Sequence, residues 1–272
     1  MSDEQRPHTF TGTFRMHEGV RSRFLASEHD VIVYLPPGYE EDIERRYPVL
    51  YMQDGQNLFD ASTSFAGEWR LDEAAEQMIA AGLVAPLIIV GVYNAGAYRV
   101  DEYTPTRDSA KRAGGKADRY GRMLVEELKP FIDRTYRTLP SAEHTAMGGS
   151  SLGGLLTLHL GLRYPTIFGK LAVLSPSVWW DDRVILREVA ALQKKLNVRI
   201  WLDAGTREGA EVIPDARLLR DAFVAKGWEI PTNLMYFEAR GGEHNERSWA
   251  KRVGPVLKYL FPPRDPSESS KA

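Results

Sequence analysis

Residues 145–165 read TAMGGSSLGGLLTLHLGLRYP. The opening residues, 145–148, have the short, small-residue character of a buried strand. Residues 153–164 are Leu-rich and predict a helix, which Pro165 ends because proline has no N–H to continue it. Between them lies Gly149-Ser150-Ser151-Leu152-Gly153, a G-x-S-x-G. Strand, tight turn and helix in that order put Ser151 on a sharp bend. Such a bend strains the serine backbone, and glycines two residues to either side let the chains pass closely. Gly148 and Gly154 extend the small-residue surroundings. The hydroxyl then stands free at the start of a helix whose dipole favours developing negative charge.

Outward from this stretch the same rhythm repeats. Strands are expected at 11–14, 30–35, 48–52, 87–92, 171–174, 198–202 and 233–237. Helical spacing marks Leu71, Ala74, Ala75, Met78 and Ile79, ending at Gly82, and then Tyr120, Met123, Leu124, Leu128 and Phe131, with Pro130 as a point for a kink. Further helices are expected at 183–196, 215–226 and 248–260, the last with Trp249, Val253, Val256 and Leu260 on one face. Alternating strands and helices predict an α/β fold, a mostly parallel central sheet with helices on both faces and N-terminal antiparallel strands. The length, 272 residues, suits one α/β domain over 1–262. Residues 263–272, rich in proline, serine and charge, are expected to be disordered.

Composition narrows the function. With 43% hydrophobic and 26% charged residues, the usage is that of a globular protein. A net charge of -2, without blocks of like charge, gives no reason to expect a nucleic-acid or anionic-membrane partner. Residues 111–116, short and basic, read as a solvated loop. The chain has no cysteine, which excludes disulfides and thiolate chemistry. The polar N-terminus lacks a secretory pattern, and the longest apolar run, 83–93, is too short for a span and contains a proline. The cytoplasm is the simplest location. No H-E-x-x-H, Cys/His pairing or G-x-x-x-x-G-K occurs, so neither metal nor cofactor is expected.

A serine nucleophile needs a base. Where an elbow serves as nucleophile, the acid and then the base follow it in the chain. Of six histidines, His159 and His244 follow Ser151. His159 falls inside the helix after the elbow and reads as a surface or packed residue. His244, in Gly241-Gly242-Glu243-His244-Asn245 between the last strand and the last helix, is where a base belongs. The acid is expected on the loop Asp203-Ala204-Gly205-Thr206-Arg207-Glu208-Gly209. Glu208 reaches further and is favoured. Asp203, at the strand end, is the alternative acid or a structural partner. Oxyanion donors are expected from the Leu152 amide and from Gly55 or Gln56 after the strand at 48–52. Trp179 and Trp180 either wall a substrate pocket or pack. Arg99 and Tyr103, beside Glu102, either bind substrate or brace their loop.

Several segments together resemble the esterase family of α/β-hydrolases that holds esterase D, enterochelin-esterase-like proteins, feruloyl and acetylxylan esterases, and mycolyltransferases. They are Tyr51-Met52-Gln53-Asp54-Gly55-Gln56-Asn57-Leu58-Phe59-Asp60, Glu102-Tyr103-Thr104-Pro105, Glu127-Leu128-Lys129-Pro130-Phe131-Ile132-Asp133, Gly148-Gly149-Ser150-Ser151-Leu152-Gly153-Gly154, Ser175-Pro176-Ser177-Val178-Trp179-Trp180 and Gly241-Gly242-Glu243-His244. The resemblance implies the α/β-hydrolase fold, Ser151 as nucleophile and His244 as base. In feruloyl-esterase relatives the acid follows a Gly-Thr pair, which falls here on Glu208, a glutamate where aspartate is usual. The implied activity is hydrolysis of a small-molecule carboxylic ester, its acyl, aryl or sugar class open. Alternatives are an acyltransferase on the same triad, a siderophore-lactone esterase, or a silent binding protein of this fold.

Overall fold

The computed structural model describes residues 7–64 and 66–263. In chain order the elements are β1 (Thr13–Val20), β2 (His29–Leu35), β3 (Val49–Gln53), α1 (Leu71–Ala80), β4 (Ile88–Val92), α2 (Arg99–Tyr103), β5 (Arg107–Asp108), β6 (Ala113–Gly114), α3 (Ala117–Arg122), α4 (Lys129–Thr135), β7 (Thr145–Ser150), α5 (Leu152–Arg163), β8 (Lys170–Leu174), α6 (Trp180–Ala191), β9 (Arg199–Gly205), α7 (Val212–Ala225), β10 (Leu234–Ala239), α8 (Glu246–Ala250) and α9 (Val253–Leu260).

Eight strands form one sheet in the order β1-β2-β4-β3-β7-β8-β9-β10. β1 and β2 run antiparallel, β2 meets β4 antiparallel, and the pairs from β4 to β10 are parallel. This is the α/β-hydrolase arrangement, with the N-terminal antiparallel strands at one edge. The parallel strands are buried on both faces, which is why they read as continuous apolar runs. Side chains alternate across β3: Val49 and Tyr51 join the core with Leu155 and Phe168, while Leu50 and Met52 join the opposite core with Trp69, Trp249 and Leu257. α5 is buried along nearly its whole length, so its apolar residues surround it on all sides.

After β3 the chain crosses to β4 on one side, and later to β7 on the other. That reversal opens a crevice beyond the carboxyl ends of β3 and β7.

Boundaries differ from the sequence expectations where backbone devices intervene. Pro130 does not kink the helix. It sits at the start of α4, and a π-helical stretch, Met123–Leu128, widens the turn in front of it. The helix expected at 183–196 is α6, which ends at Ala191, where Lys226 Nζ binds the carbonyls of Ala190 and Leu192. Its first turn contains Asp181, Asp182 and Arg183 at positive φ (43°, 51° and 57°). Arg187 donates to the carbonyls of Asp181 and Asp182 and so holds that turn. The helix expected at 248–260 is two, α8 and α9, because Pro255 has no N–H for the Lys251 carbonyl. Residues 264–272, most of the segment expected to be disordered, lie outside the described residues. Among the described residues no helix is long and apolar enough to cross a membrane.

Candidate active site

Ser151 occupies the turn between β7 and α5 with φ 56° and ψ -121°, outside the allowed regions of an ordinary residue. The turn is tight enough that a Cβ on Gly149 would lie 2.9 Å from the Gly153 carbonyl carbon. The Ser151 amide donates to the Leu174 carbonyl at 3.1 Å, tying the bend to β8. Leu152, one of the expected oxyanion donors, is the first residue of α5.

Three loops at the carboxyl edge converge on this serine. His244, after β10, places Nε2 2.9 Å from Ser151 Oγ. Its Nδ1 is 3.0 Å from Glu208 Oε2, on the loop after β9. Asn245 caps α8 by accepting from the Ser248 amide at 3.0 Å, which fixes the chain next to the histidine. The His244 ring meets Trp249 edge to face, with centroids 5.1 Å apart. The imidazole is 38% exposed and the Glu208 carboxylate 0%.

Glu208 is held from several sides. Its Oε1 accepts from the Gly205 amide at 2.7 Å, Ser175 Oγ at 2.7 Å and Arg252 Nη2 at 3.3 Å. Burial alone would raise the Glu208 carboxyl, but hydrogen bonds from His244 and Ser175 and the Arg252 charge outweigh it and hold the carboxyl below its ordinary value. Trp249 Nε1 donates to Ser175 Oγ at 3.0 Å, so the serine that orients Glu208 is itself oriented.

Asp203, the alternative acid, lies elsewhere in this network. It accepts from Arg252 Nη1 at 2.7 Å and Trp201 Nε1 at 2.8 Å, and has no contact with His244. Burial pushes its carboxyl up to about 6, against the Arg252 charge and the Trp201 hydrogen bond. At neutral pH it therefore remains the counter-charge of Arg252.

The loop after β3 carries Gly55 and Gln56, the other expected donors, in a short 3-10 turn. Its conformation is braced by Asp54, which receives Arg99 at 2.7 Å on each carboxylate oxygen and Asn94 Nδ2 at 2.7 Å. The Asp54 amide donates to Tyr103 Oη at 3.2 Å, and the Arg99 guanidinium lies over the Tyr103 ring. Arg99 and Tyr103 thus take the bracing role of the two considered.

Trp180 and Tyr103 are fully buried, the packing alternative for Trp180 and the bracing alternative for Tyr103. Trp180 Nε1 is engaged by the Thr106 carbonyl at 3.1 Å. Trp179 is 46% exposed on the loop after β8, and Lys111 Nζ sits 4.9 Å from its ring centroid. His159 is packed: Nδ1 lies 2.8 Å from Glu188 and Nε2 3.0 Å from Asp118.

Sequence reading missed Arg252, Ser175, Ser177 and Trp249 as members of this site. Ser177 Oγ lies 3.3 Å from Ser151 Oγ. A signal for Arg252 existed, because it is a charged residue beside Val253 on the face otherwise made by Trp249 and Val256.

Known proteins resemble this chain over most of its length. The family described as "Putative esterase" matches residues 22–259. The uncharacterized protein YbbA of Bacillus subtilis is 25% identical over 256 residues, covering 90% of this chain and 97% of YbbA. The endo-1,4-beta-xylanase/feruloyl esterase of Xylanibacter ruminicola is 31% identical over 234 residues, covering 84% of this chain and 29% of that protein. The enterobactin esterase FES of Shigella flexneri, solved in the presence of enterobactin, superposes with a TM-score of 0.75 at 20% identity, covering 93% of this chain and 60% of that one.

Proposed function

The chain belongs to the "Putative esterase" family of carboxylic-ester hydrolases, and from that footing we propose that it works through an acyl-enzyme on Ser151. The observation that carries this reading is the unbroken hydrogen-bonded path from Glu208 Oε2 through His244 to Ser151 Oγ, at 3.0 and 2.9 Å. In the first step His244 Nε2 takes the Ser151 proton as Oγ attacks the ester carbonyl. The amides of Leu152 and of Gly55 or Gln56 hold the oxyanion. The imidazolium, paired with Glu208, returns the proton to the departing alcohol. Water, activated by the same histidine, then releases the acid.

The test is labelling with a fluorophosphonate and mass mapping of the adduct, alongside hydrolysis of p-nitrophenyl acetate, butyrate and octanoate. A label on Ser151 and loss of both label and turnover in Ser151→Ala are expected. Turnover that survives Ser151→Ala would overturn the mechanism.

A finer reading of substrate class is favoured by Trp179. This indole is 46% exposed and lies two residues beyond Ser177, whose Oγ is 3.3 Å from Ser151 Oγ, and aromatic rings stack on such side chains. The relatives named for feruloyl and enterobactin esters support an ester carrying an aromatic acyl group. Trp179→Ala should then lower kcat/KM for methyl ferulate about 5-fold while leaving p-nitrophenyl acetate unchanged. Equal effects on both esters would remove this substrate assignment and leave the Ser151 mechanism standing.

A further inference from the structure

One hydroxyl beside the nucleophile takes no part in the acyl transfer run by Ser151, His244 and Glu208. Ser177 Oγ lies 3.3 Å from Ser151 Oγ, and the residue is 2% exposed. The backbone fixes that approach. Gly154 has no side chain to hold the loop after β8 off the elbow. A Cβ there would stand 3.0 Å from the Leu174 carbonyl oxygen and 3.2 Å from Pro176 Cα. Ser175 turns the chain with φ 45°, and its amide donates to the Asp203 carbonyl at 2.9 Å. The Ser177 amide then donates to the Ser151 carbonyl at 3.0 Å, and the Ser177 carbonyl accepts from the Trp180 amide at 3.2 Å. Val178 and Trp180 anchor the following turn in the core.

The direction of the hydrogen bond between the two serines follows from their neighbours. Glu208 is held as a carboxylate, so His244 Nδ1 donates to it and Nε2 is left as an acceptor. Ser151 therefore commits its one proton to Nε2, 2.9 Å away. Its Oγ is left to accept from Ser177, whose hydroxyl has no other hydrogen-bond partner among the described residues. At 3.3 Å the resting bond is longer than the ~2.7–2.8 Å usual between hydroxyls, and it has room to shorten when charge builds on Oγ.

We propose that Ser177 is a catalytic hydrogen-bond donor to Ser151 Oγ, acting as that oxygen leaves the acyl-enzyme. The inference rests on Ser151 as nucleophile. In deacylation, water adds to the acyl carbon and gives one proton to His244 Nε2. The C–Oγ bond of the tetrahedral intermediate then breaks, its electron pair goes to Oγ, and His244 returns the proton there. Ser177 keeps its own proton throughout. In the acyl-enzyme Oγ is an ester oxygen and a poor acceptor. As it departs it gains negative charge and becomes a strong one. A contact accelerates a step only by as much as it strengthens between ground state and transition state. In the free enzyme Oγ is already an alcohol oxygen and a better acceptor, so acylation gains less from the same donor.

Ser177→Ala removes the hydroxyl without adding bulk. At saturating p-nitrophenyl acetate, mass spectrometry of acid-quenched samples gives the acetylated fraction of the enzyme. Turnover divided by that fraction is the deacylation rate constant, and turnover divided by the remaining fraction is the acylation rate constant. Deacylation should be about 10-fold slower in Ser177→Ala, the worth of one hydrogen bond, with acylation within about threefold of wild type. The acetylated fraction therefore rises in the variant. An unchanged deacylation rate constant would overturn the role of Ser177. Both steps slowed alike would also overturn it, because a loop displaced from the elbow disturbs attack and departure together. A wild type that a fluorophosphonate does not label at Ser151 would instead sink the Ser151 mechanism, and the role of Ser177 with it.

Discussion

Arg252 Nη1 donates to Asp203 Oδ1 at 2.7 Å with both side chains withdrawn from solvent, 4% and 0% exposed. Removing one member of a buried pair costs about 3–5 kcal/mol, and here the low end applies because Glu208 still faces Arg252 Nη2 at 3.3 Å. Asp203→Asn is therefore expected to lower the unfolding midpoint by about 10 °C in calorimetry. Because His244 contacts Glu208 and not Asp203, turnover at a permissive temperature should fall less than about tenfold. Complete loss of turnover in the folded variant would make Asp203 the acid.

Glu208→Gln keeps the volume and loses the charge that steadies the imidazolium. Its kcat should drop by about 10²–10⁴-fold with KM little changed. Glu208→Asp keeps the charge and shortens the reach to His244, so an intermediate loss is expected. The folded Glu208 carboxyl is depressed. Its contribution to stability is thus present above the ordinary glutamate value, about 4.3, and lost as pH falls through the folded value below it. Acid unfolding of Glu208→Gln should accordingly show a shallower dependence on pH below about 4.

Gly55 touches Gly91 backbone to backbone. A Cβ on Gly55 would meet the Gly91 carbonyl carbon at 2.6 Å and its oxygen at 2.8 Å. Gly55→Ala must push the turn away from β4 and take the Gly55 and Gln56 amides with it. A folded protein is expected, with kcat reduced about 10²-fold, the size of one oxyanion donor. Steady-state kinetics beside a circular dichroism spectrum would check it, and an unchanged kcat would exclude this turn from oxyanion binding.

His159 gives stability a basic limb. Burial would lower its pKa, but hydrogen bonds to Asp118 and Glu188 outweigh that and raise it to about 8. A raised histidine contributes most below its ordinary 6.5, and the contribution disappears as pH rises through 8. Urea unfolding at pH 6 and pH 9 should differ by about 1–2 kcal/mol from this site, and His159→Gln should abolish that difference.

Much of this was legible in the chain. The elbow reads locally, because strand, bend and helix are contiguous over 145–163, and buried parallel strands announce themselves as apolar runs. His244 and Glu208 followed from chain order and loop position. The supports did not. Ser175, Trp249 and Arg252 meet one another, Glu208 and Asp203 through contacts spanning 28 to 77 positions, and no local pattern encodes such a meeting. The first turn of α6 was missed for another reason: Asp181, Asp182 and Arg183 adopt left-handed backbone that their side chains do not announce, held in place by Arg187. β5 and β6, two residues each, are too short for any periodicity.

His244 stands 93 positions after Ser151, on the loop beyond the edge strand. A ribosome adding ~5–20 residues per second therefore delivers Ser151 roughly 5–20 s before the histidine proposed as its base. Throughout that interval the elbow has no imidazole to accept its proton, and an unassisted hydroxyl is a weak nucleophile. Under the proposed mechanism, a nascent chain gains hydrolytic power only once β10 docks against β9. Strand order then sets the activity clock, which starts after nearly the whole sheet has been made.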